Sequence, residues 1–190
     1  MLIAKKLIGS NEYDGVLGEI INPYTKEVTT KYVKCNADDA KDALKTAKKA
    51  FKNIKNSPLH QRIAWIEDVA KKLQERKEEF AKYITLEVAK PISQARVEVQ
   101  RCIENLKITA AEGYRIVGET IPTDTTPSGF KTTSFYKRVP VGVVVAITPF
   151  NFPLNLVAHK LAPALVAGNS VVLKPTPEAP YTAYAFAKLF

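Results

Sequence analysis

Cysteine, histidine and glycine are scarce in this chain of 190 residues, which has two cysteines, two histidines and eight glycines. Two thiols, Cys35 and Cys102, are too few for a disulfide framework or a zinc site, and we interpret both as structural thiols. His60 and His159 have no partners spaced for a catalytic triad. The glycines form neither a G-x-G-x-x-G motif nor a P-loop. We expect no metal site.

Long apolar runs are also missing from the sequence. The longest, residues 139–147, is far shorter than the roughly 20 residues that a membrane-spanning helix needs. The first residues lack the apolar stretch of a signal peptide. We therefore expect a cytoplasmic protein that binds no membrane.

Positive charge is in excess, with 28 lysines and arginines against 19 acidic residues. The lysines are spread over predicted helix faces and often alternate with acidic residues, which is typical of solvated surfaces. No zinc-finger, ribonucleoprotein or arginine-rich motif accompanies them, so nucleic acid is not an expected partner. The content of 46% apolar and 25% charged residues is that of an ordinary globular protein.

Strand and then helix patterns fill the first part of the chain. Residues 16–35 predict two antiparallel strands. Asn36 is a good cap for a first helix. A second helix opens at Ser57–Pro58, with Pro58 at its first position, and its apolar stripe continues to Ile84. The Lys90–Pro91 pair interrupts the helical pattern, and a third helix runs out near Gly118.

The last third of the chain changes character. Loop and turn signals lie at residues 120–122 and 126–129, and residues 132–139 predict a strand. A strand–helix–strand–helix order then follows, in residues 141–147, 154–167, 170–173 and from 181 to the end, where the helix is still running. The first of these strands is almost continuously apolar and is expected to be buried on both faces. We predict an α/β fold with parallel strands.

Two polar side chains follow these two strands. Asn151 comes after the first strand and Lys174 ends the second, and ligands bind beyond the carboxyl ends of strands in open parallel sheets. The amide of Asn151 suits an oxyanion, and the ammonium of Lys174 suits a phosphate or a ribose hydroxyl. Two alternatives stay open, that Asn151 only caps the following helix and that Lys174 is merely exposed.

Six segments together resemble one family: residues 21–28, 87–92, 140–143, 148–153, 163–169 and 174–175. The chain resembles the N-terminal portion of the aldehyde dehydrogenase superfamily, and in particular archaeal lactaldehyde and non-phosphorylating glyceraldehyde-3-phosphate dehydrogenases. Ala89 departs from the family pattern, which usually has Gly at this position.

This resemblance implies the N-terminal part of a Rossmann-like domain that binds NAD or NADP. Residues 1–119 would be strands and helices of the cofactor domain, residues 120–138 a segment of an oligomerisation β-arm, and residues 139–190 the start of the parallel-sheet core. It also implies a homodimer or homotetramer.

The family mechanism implies roles for particular residues. In that mechanism a Cys thiolate attacks the aldehyde, hydride passes to the nicotinamide, and a Glu-activated water releases the acid. By resemblance, Asn151 stabilises the oxyanion, and Arg101 and Phe152 contact the aldehyde. The residues implied at the cofactor are Ile147, Thr148, Pro149, Phe150, Lys174, Thr176 and Pro177.

Two positions bear on specificity. Pro177 stands where many NAD-dependent members have a Glu that binds the ribose, so NADP is plausible as well as NAD. An Arg at position 101 suits an anionic aldehyde. The alternative is that Arg101 forms a surface salt bridge with Glu98 or Glu104.

The nucleophilic Cys and the Glu of the family are expected beyond position 190, and neither Cys35 nor Cys102 matches the nucleophile. We therefore expect this chain alone to be inactive. The alternative function is a non-catalytic or split-protein module for binding or assembly.

Overall fold

The computed structural model describes all 190 residues. It begins with five short strands: β1 (Leu2–Ala4), β2 (Lys6–Ile8), β3 (Asn11–Tyr13), β4 (Leu17–Ile21) and β5 (Val28–Val33). β4 pairs antiparallel with β5, as predicted from the sequence. β1 pairs parallel with β5, and β2 and β3 form a separate hairpin. β1, β2 and β3 have three residues each, too few to show the alternation of apolar and polar residues by which a strand is predicted.

Four helices follow: α1 (Ala37–Ile54), α2 (Leu59–Glu75), α3 (Lys77–Val88) and α4 (Ile92–Gly113). The predicted cap at Asn36 is confirmed, since its side chain accepts from the backbone of Asp38 and Asp39. The second helix begins at Leu59, later than predicted, because Pro58 is extended. α4 ends at Gly113 rather than near Gly118.

The apolar stripe predicted as one helix is divided at Arg76, which has φ −109° and ψ 18°. No Gly or Pro marks this break, so the sequence pattern did not reveal it. The Arg76 guanidinium binds the Glu79 carboxylate at 2.7 and 2.8 Å. Further along, α3 ends at Val88, and the next residue, Ala89, has a φ of 52°, the left-handed conformation that glycine adopts most easily.

A small hairpin comes next, formed by β6 (Glu119–Ile121) and β7 (Ser134–Tyr136). The interpretation of Thr120 and Ile121 as part of a loop or turn was wrong, because their backbone pairs with β7. β7 is shorter than the predicted strand, and Phe135 on it is 72% exposed.

The chain closes with β8 (Val143–Ile147), α5 (Asn155–Val166), β9 (Ser170–Lys174) and α6 (Pro180–Ala187). β8 and β9 are parallel, as predicted. The expectation that β8 is buried on both faces was wrong, since Val145 and Ile147 are 55% and 61% exposed. β8 pairs with β9 alone, and both α1 and α5 contact it. α6 ends at Ala187, before the predicted end.

A core of 25 buried residues lies mainly among α2, α3, α4, α5 and α6. Its largest fully buried apolar members include Leu73, Phe80, Ile103, Leu154 and Phe186. Burial of each such side chain contributes about 1.5–3 kcal/mol. This core fixes α3 and α4 against the start of α5, and the start of α5 is where the candidate site lies.

Candidate functional site

Two loops leave the same edge of the parallel strand pair. Ile147, the last residue of β8, is paired in register with Lys174, the last residue of β9. The N–H of Thr148 continues the pairing by donating to the carbonyl of Lys174 at 3.3 Å. We call residues 148–154 the Asn151 loop and residues 174–179 the Lys174 loop. The structure thus brings both polar candidates to one edge.

Asn151 is exposed, and its side-chain amide makes no hydrogen bond within the chain. The alternative that Asn151 caps the next helix was wrong. The N-cap residue of α5 is Leu154, which supplies no side-chain cap. The amide of Asn151 is therefore free to bind a ligand.

A buried carboxylate takes the place of that cap. Glu98 on α4 accepts hydrogen bonds from the backbone N–H groups of Leu154 at 3.0 Å and Asn155 at 3.2 Å, both through Oε1. A negative charge is favourable at a helix N-terminus, where unpaired N–H groups converge. Glu98 is fully buried, so the loop is tied directly to the protein core.

Lys90 completes this attachment from the turn between α3 and α4. Its ammonium group pairs with Glu98 Oε2 and donates to the backbone carbonyl of Asn151 at 2.8 Å. The same Nζ lies 4.3 Å from the centroid of the Phe152 ring, a cation–π distance. One cation therefore contacts a helix, the backbone of Asn151 and the neighbouring aromatic ring.

The sequence interpretation missed Lys90 and Glu98 as site residues. A signal for Glu98 was present, because it lies on the apolar stripe of α4, one turn from both Ala95 and Cys102. A lone carboxylate on a buried helix face needs a partner. No comparable signal distinguished Lys90 from the other lysines.

Arg101 lies on α4 beside the Asn151 loop. It is exposed, and its guanidinium carbon lies 5.6 Å from the centroid of the Phe152 ring. Arg101 forms no salt bridge, since Glu98 pairs with Lys90 and Glu104 accepts from Gln100 at 3.0 Å. The alternative of a salt bridge with Glu98 or Glu104 was therefore wrong, and the guanidinium is available to an anion.

The Lys174 loop presents a free cation at the strand edge. Lys174 is exposed and forms no salt bridge. Thr176 is buried, and its hydroxyl donates to the carboxylate of Glu178, while Pro177 between them is exposed. An ammonium at the end of a parallel strand can bind a ribose hydroxyl or a phosphate.

The other residues implied at the cofactor flank this edge. Ile147, Pro149 and Phe150 are exposed. Thr148 is buried, and its hydroxyl has no hydrogen-bond partner in the chain. The end of β8 and the start of the Asn151 loop therefore carry exposed apolar side chains and one buried, unpaired hydroxyl.

A second buried carboxylate supports the Lys174 loop. Glu87 accepts from the N–H of Tyr181 at 2.7 Å and the N–H of Thr182 at 2.8 Å, and it also accepts from the Thr182 hydroxyl at 2.7 Å. These donors form the first turn of α6. Burial raises the pKa of Glu87 to about 7, although the hydrogen bonds from Thr182 and Tyr181 oppose the shift.

Neither cysteine belongs to these loops. Cys102 is fully buried within α4, and its burial and the nearby charge of Glu98 raise the pKa of the thiol well above its usual range. Cys35 is exposed after β5, and partial burial raises the pKa of its thiol as well. A raised pKa disfavours the nucleophilic thiolate.

Two further findings concern the whole chain. No three or more histidine, cysteine, aspartate or glutamate side chains converge in a way that would hold a metal ion. None of the helices combines the length and the apolar character needed to cross a membrane.

The chain is similar to known proteins. The model of the aldehyde dehydrogenase family matches residues 12–190. Lactaldehyde dehydrogenase of Methanocaldococcus jannaschii is 41% identical over 189 residues, which cover 100% of this chain and 38% of that protein. 3-Sulfolactaldehyde dehydrogenase of Priestia megaterium is 44% identical over 171 residues, which cover 90% of this chain and 35% of that protein.

A solved structure agrees with these relatives. The NADP-dependent glyceraldehyde-3-phosphate dehydrogenase from Bacillus halodurans C-125, complexed with NADP, superposes with a TM-score of 0.92 at 34% identity. The match covers 100% of this chain and 40% of that one.

This chain belongs to the aldehyde dehydrogenase family. The family and the α/β fold class predicted from the sequence are both confirmed, as is the similarity to the family's N-terminal portion. The chain spans 35–40% of the length of these three relatives.

Proposed function

We propose that this chain contributes to an NAD(P)-dependent oxidation of an aldehyde to a carboxylic acid. The observation that carries the proposal is the strand edge, where the free amide of Asn151 and the free ammonium of Lys174 lie on adjacent loops. Family membership supports the reaction class. In this proposal the nucleophilic Cys and the Glu that activates water lie outside the chain.

The role proposed for Asn151 is to donate its side-chain amide to the oxyanion that forms when a thiolate attacks the carbonyl. A donor held in place where charge develops stabilises the transition state more than the substrate. The exposed position of Asn151, with no competing hydrogen bond within the chain, supports this role.

The cofactor proposed is NAD or NADP, which accepts hydride when bound. Lys174 and Thr176 would hold the adenosine ribose, and the exposed rim of Ile147, Pro149 and Phe150 would line the cleft. NADP is favoured because Pro177 supplies no carboxylate against a 2′-phosphate, and because the Bacillus halodurans structure contains NADP. The carboxylate of Glu178 is engaged by Thr176.

The substrate proposed is a short aldehyde with a hydroxyl or anionic group near the carbonyl. Arg101 supports this class, because its guanidinium is unpaired and lies against the Phe152 ring beside Asn151. The names of three relatives, which refer to lactaldehyde, 3-sulfolactaldehyde and glyceraldehyde 3-phosphate, are consistent with it.

The test is a hybrid enzyme in which residues 1–190 replace the matching segment of the Methanocaldococcus jannaschii relative. We expect the hybrid to oxidise lactaldehyde or glyceraldehyde 3-phosphate with NADP, followed by NADPH absorbance. Asn151→Ala should lower kcat by about 10²–10³-fold, because one oxyanion donor is lost. The matched control is Asn53→Ala, which alters an exposed Asn on α1. Equal kcat values for Asn151→Ala and the parent hybrid would refute the role of Asn151.

A second candidate function is a non-catalytic assembly module. The exposed apolar side chains of Val145 and Ile147 on β8, and of Phe135 on β7, favour a chain that packs against further polypeptide. Oligomerisation through the β6–β7 hairpin is part of either proposal. A folded hybrid that binds NADP but oxidises no aldehyde would favour the assembly module over the enzyme.

A further inference from the structure

We propose that Lys90 and Glu98 are positioning residues that fix the Asn151 loop for catalysis. They act through Asn151 and touch neither substrate nor cofactor. The inference deepens the proposed function and rests on it for its catalytic consequence, while its structural part concerns the order of residues 151–155 alone.

The two carboxylate oxygens of Glu98 bind different partners. Oε1 accepts from the N–H groups of Leu154 and Asn155, and Oε2 pairs with the Lys90 ammonium. Hydrogen bonds to an ionised carboxylate are the strong ones, and those in the core are not weakened by solvent. Glu98 therefore anchors the C-terminal end of the loop to α4, which is itself part of the main core.

Lys90 anchors the middle of the loop. Its bond to the Asn151 carbonyl is the only hydrogen bond that the chain makes to the backbone or side chain of that residue. This bond restricts the backbone from which the Asn151 side chain projects. The Lys90 contact with the Phe152 ring fixes the next residue as well.

The local sequence explains why Lys90 reaches this place. α3 stops before Ala89, whose left-handed conformation turns the chain, and Pro91 sets the entry into α4. Lys90 lies in this turn with a side chain that is only 16% exposed. A long flexible cation is thereby enclosed between Glu98 and the Asn151 loop rather than extended into solvent.

Catalysis needs this order because an oxyanion donor is effective only when it is held in place before charge develops. Displacement of a reacting group by about 1 Å can cost about 10²-fold in rate. Asn151 is exposed and its amide is unpartnered, so its position depends on the backbone contacts made by Lys90 and the neighbouring residues.

The structural part is tested by backbone ¹⁵N relaxation of the 190-residue chain, which reports motion within the folded state rather than the free energy of unfolding. In Lys90→Met we expect the order parameters of Asn151 and Phe152 to fall from about 0.85 to below about 0.6. Val99 and Ile103 in α4 should keep the values of the parent chain. Unchanged order parameters at Asn151 and Phe152, or an equal fall in α4, would overturn the proposal.

The catalytic part is tested in the hybrid enzyme with Lys90→Met and Glu98→Gln. We expect kcat to fall by 10–100-fold in each variant, with the KM for NADP within twofold of the parent value. The matched control is Glu78→Gln, which removes an exposed pair with Arg96 between the same helices, with N and O 2.9 Å apart. The control should leave kcat unchanged.

The outcomes separate the two proposals. If the parent hybrid oxidises no aldehyde, the proposed function fails, and the relaxation measurement still decides whether Lys90 orders the loop. If the loop loosens but kcat of an active hybrid stays unchanged, the positioning role is refuted and the proposed function stands.

Discussion

The Asn151 loop and the Lys174 loop are attached to the core in the same way, with one difference. Each is followed by a helix whose first N–H groups bind a buried glutamate, Glu98 for α5 and Glu87 for α6. Glu98 is also paired with the ammonium of Lys90, whereas Glu87 forms no salt bridge. The two sites therefore compare a buried carboxylate with and without a cation.

The comparison shows what a cation adds to a buried carboxylate. Hydrogen bonds from Tyr181 and Thr182 favour the ionised form of Glu87, yet burial outweighs them and raises its pKa to about 7. At Glu98 the charge is matched by Lys90, and that cation links the helix cap to the backbone of Asn151. Only the Asn151 loop is therefore held by a charge pair, and removal of its cation leaves Glu98 as a buried charge without a partner.

The largest expected effect comes from breaking this pair. Lys90→Met should lower the free energy of unfolding of the chain by about 3–5 kcal/mol, because Glu98 is left as a buried charge without a cation. Urea denaturation at pH 8 measures the loss. Glu87→Gln is the comparison, and its cost should be about 1–2 kcal/mol, because a buried N–H group loses its acceptor but no charge is left unpaired. Similar losses in both variants would remove the distinction between the two loops.

The next effect is a pH dependence that only Glu87 supplies. The pKa of Glu87 is raised from 4.5 to about 7 on folding, so the folded chain binds more protons than the unfolded chain between these values. Its stabilising contribution is fully present below about pH 4.5 and is lost as pH rises through about 7. A shift of this size corresponds to roughly 3 kcal/mol.

Urea denaturation of the parent chain and of Glu87→Gln between pH 4.5 and 8 isolates this contribution. The parent should lose stability relative to the variant as pH rises. A constant difference across that range would show that Glu87 has no raised pKa in the folded chain.

The smallest expected effect is the loss of one hydrogen bond to the carboxylate of Glu87. Thr182→Val removes the hydroxyl that donates at 2.7 Å and should cost about 1–2 kcal/mol at pH 8, where Glu87 is ionised. It should also raise the pKa of Glu87 further, since that hydroxyl favours the charged form. Thr182→Ser keeps the hydroxyl and is the control. Equal stability of the Val and Ser variants at pH 8 would exclude this contribution.

Much of the last third of the chain could be predicted from the sequence because its signals are local. Short sequence patterns predict three of its elements: the apolar strand before Asn151, the helix that ends near Gly168 and the strand that ends at Lys174. Their parallel pairing is confirmed, and it brings Asn151 and Lys174 to one edge. The exposure of Val145 did not follow from local pattern, because it depends on which neighbours cover the strand.

The domain boundaries at residues 119 and 138 stay predictions, as do the roles proposed for the site residues. The hairpin of β6 and β7 lies between those boundaries. β6 formed from residues with turn signals, because their local propensity was overridden by pairing with β7, which lies within the predicted strand.

The sequence by itself determined the family, the α/β class and two polar residues at the ends of adjacent strands, since motifs and periodicity are carried by neighbouring residues. The tertiary structure alone decided how those residues are held. Glu98 caps a helix 56 positions away, and Lys90 binds the carbonyl of Asn151, 61 positions away. Contacts between residues so far apart in the sequence depend on how α3, α4 and α5 pack. A local sequence pattern does not predict which loop a buried charge contacts.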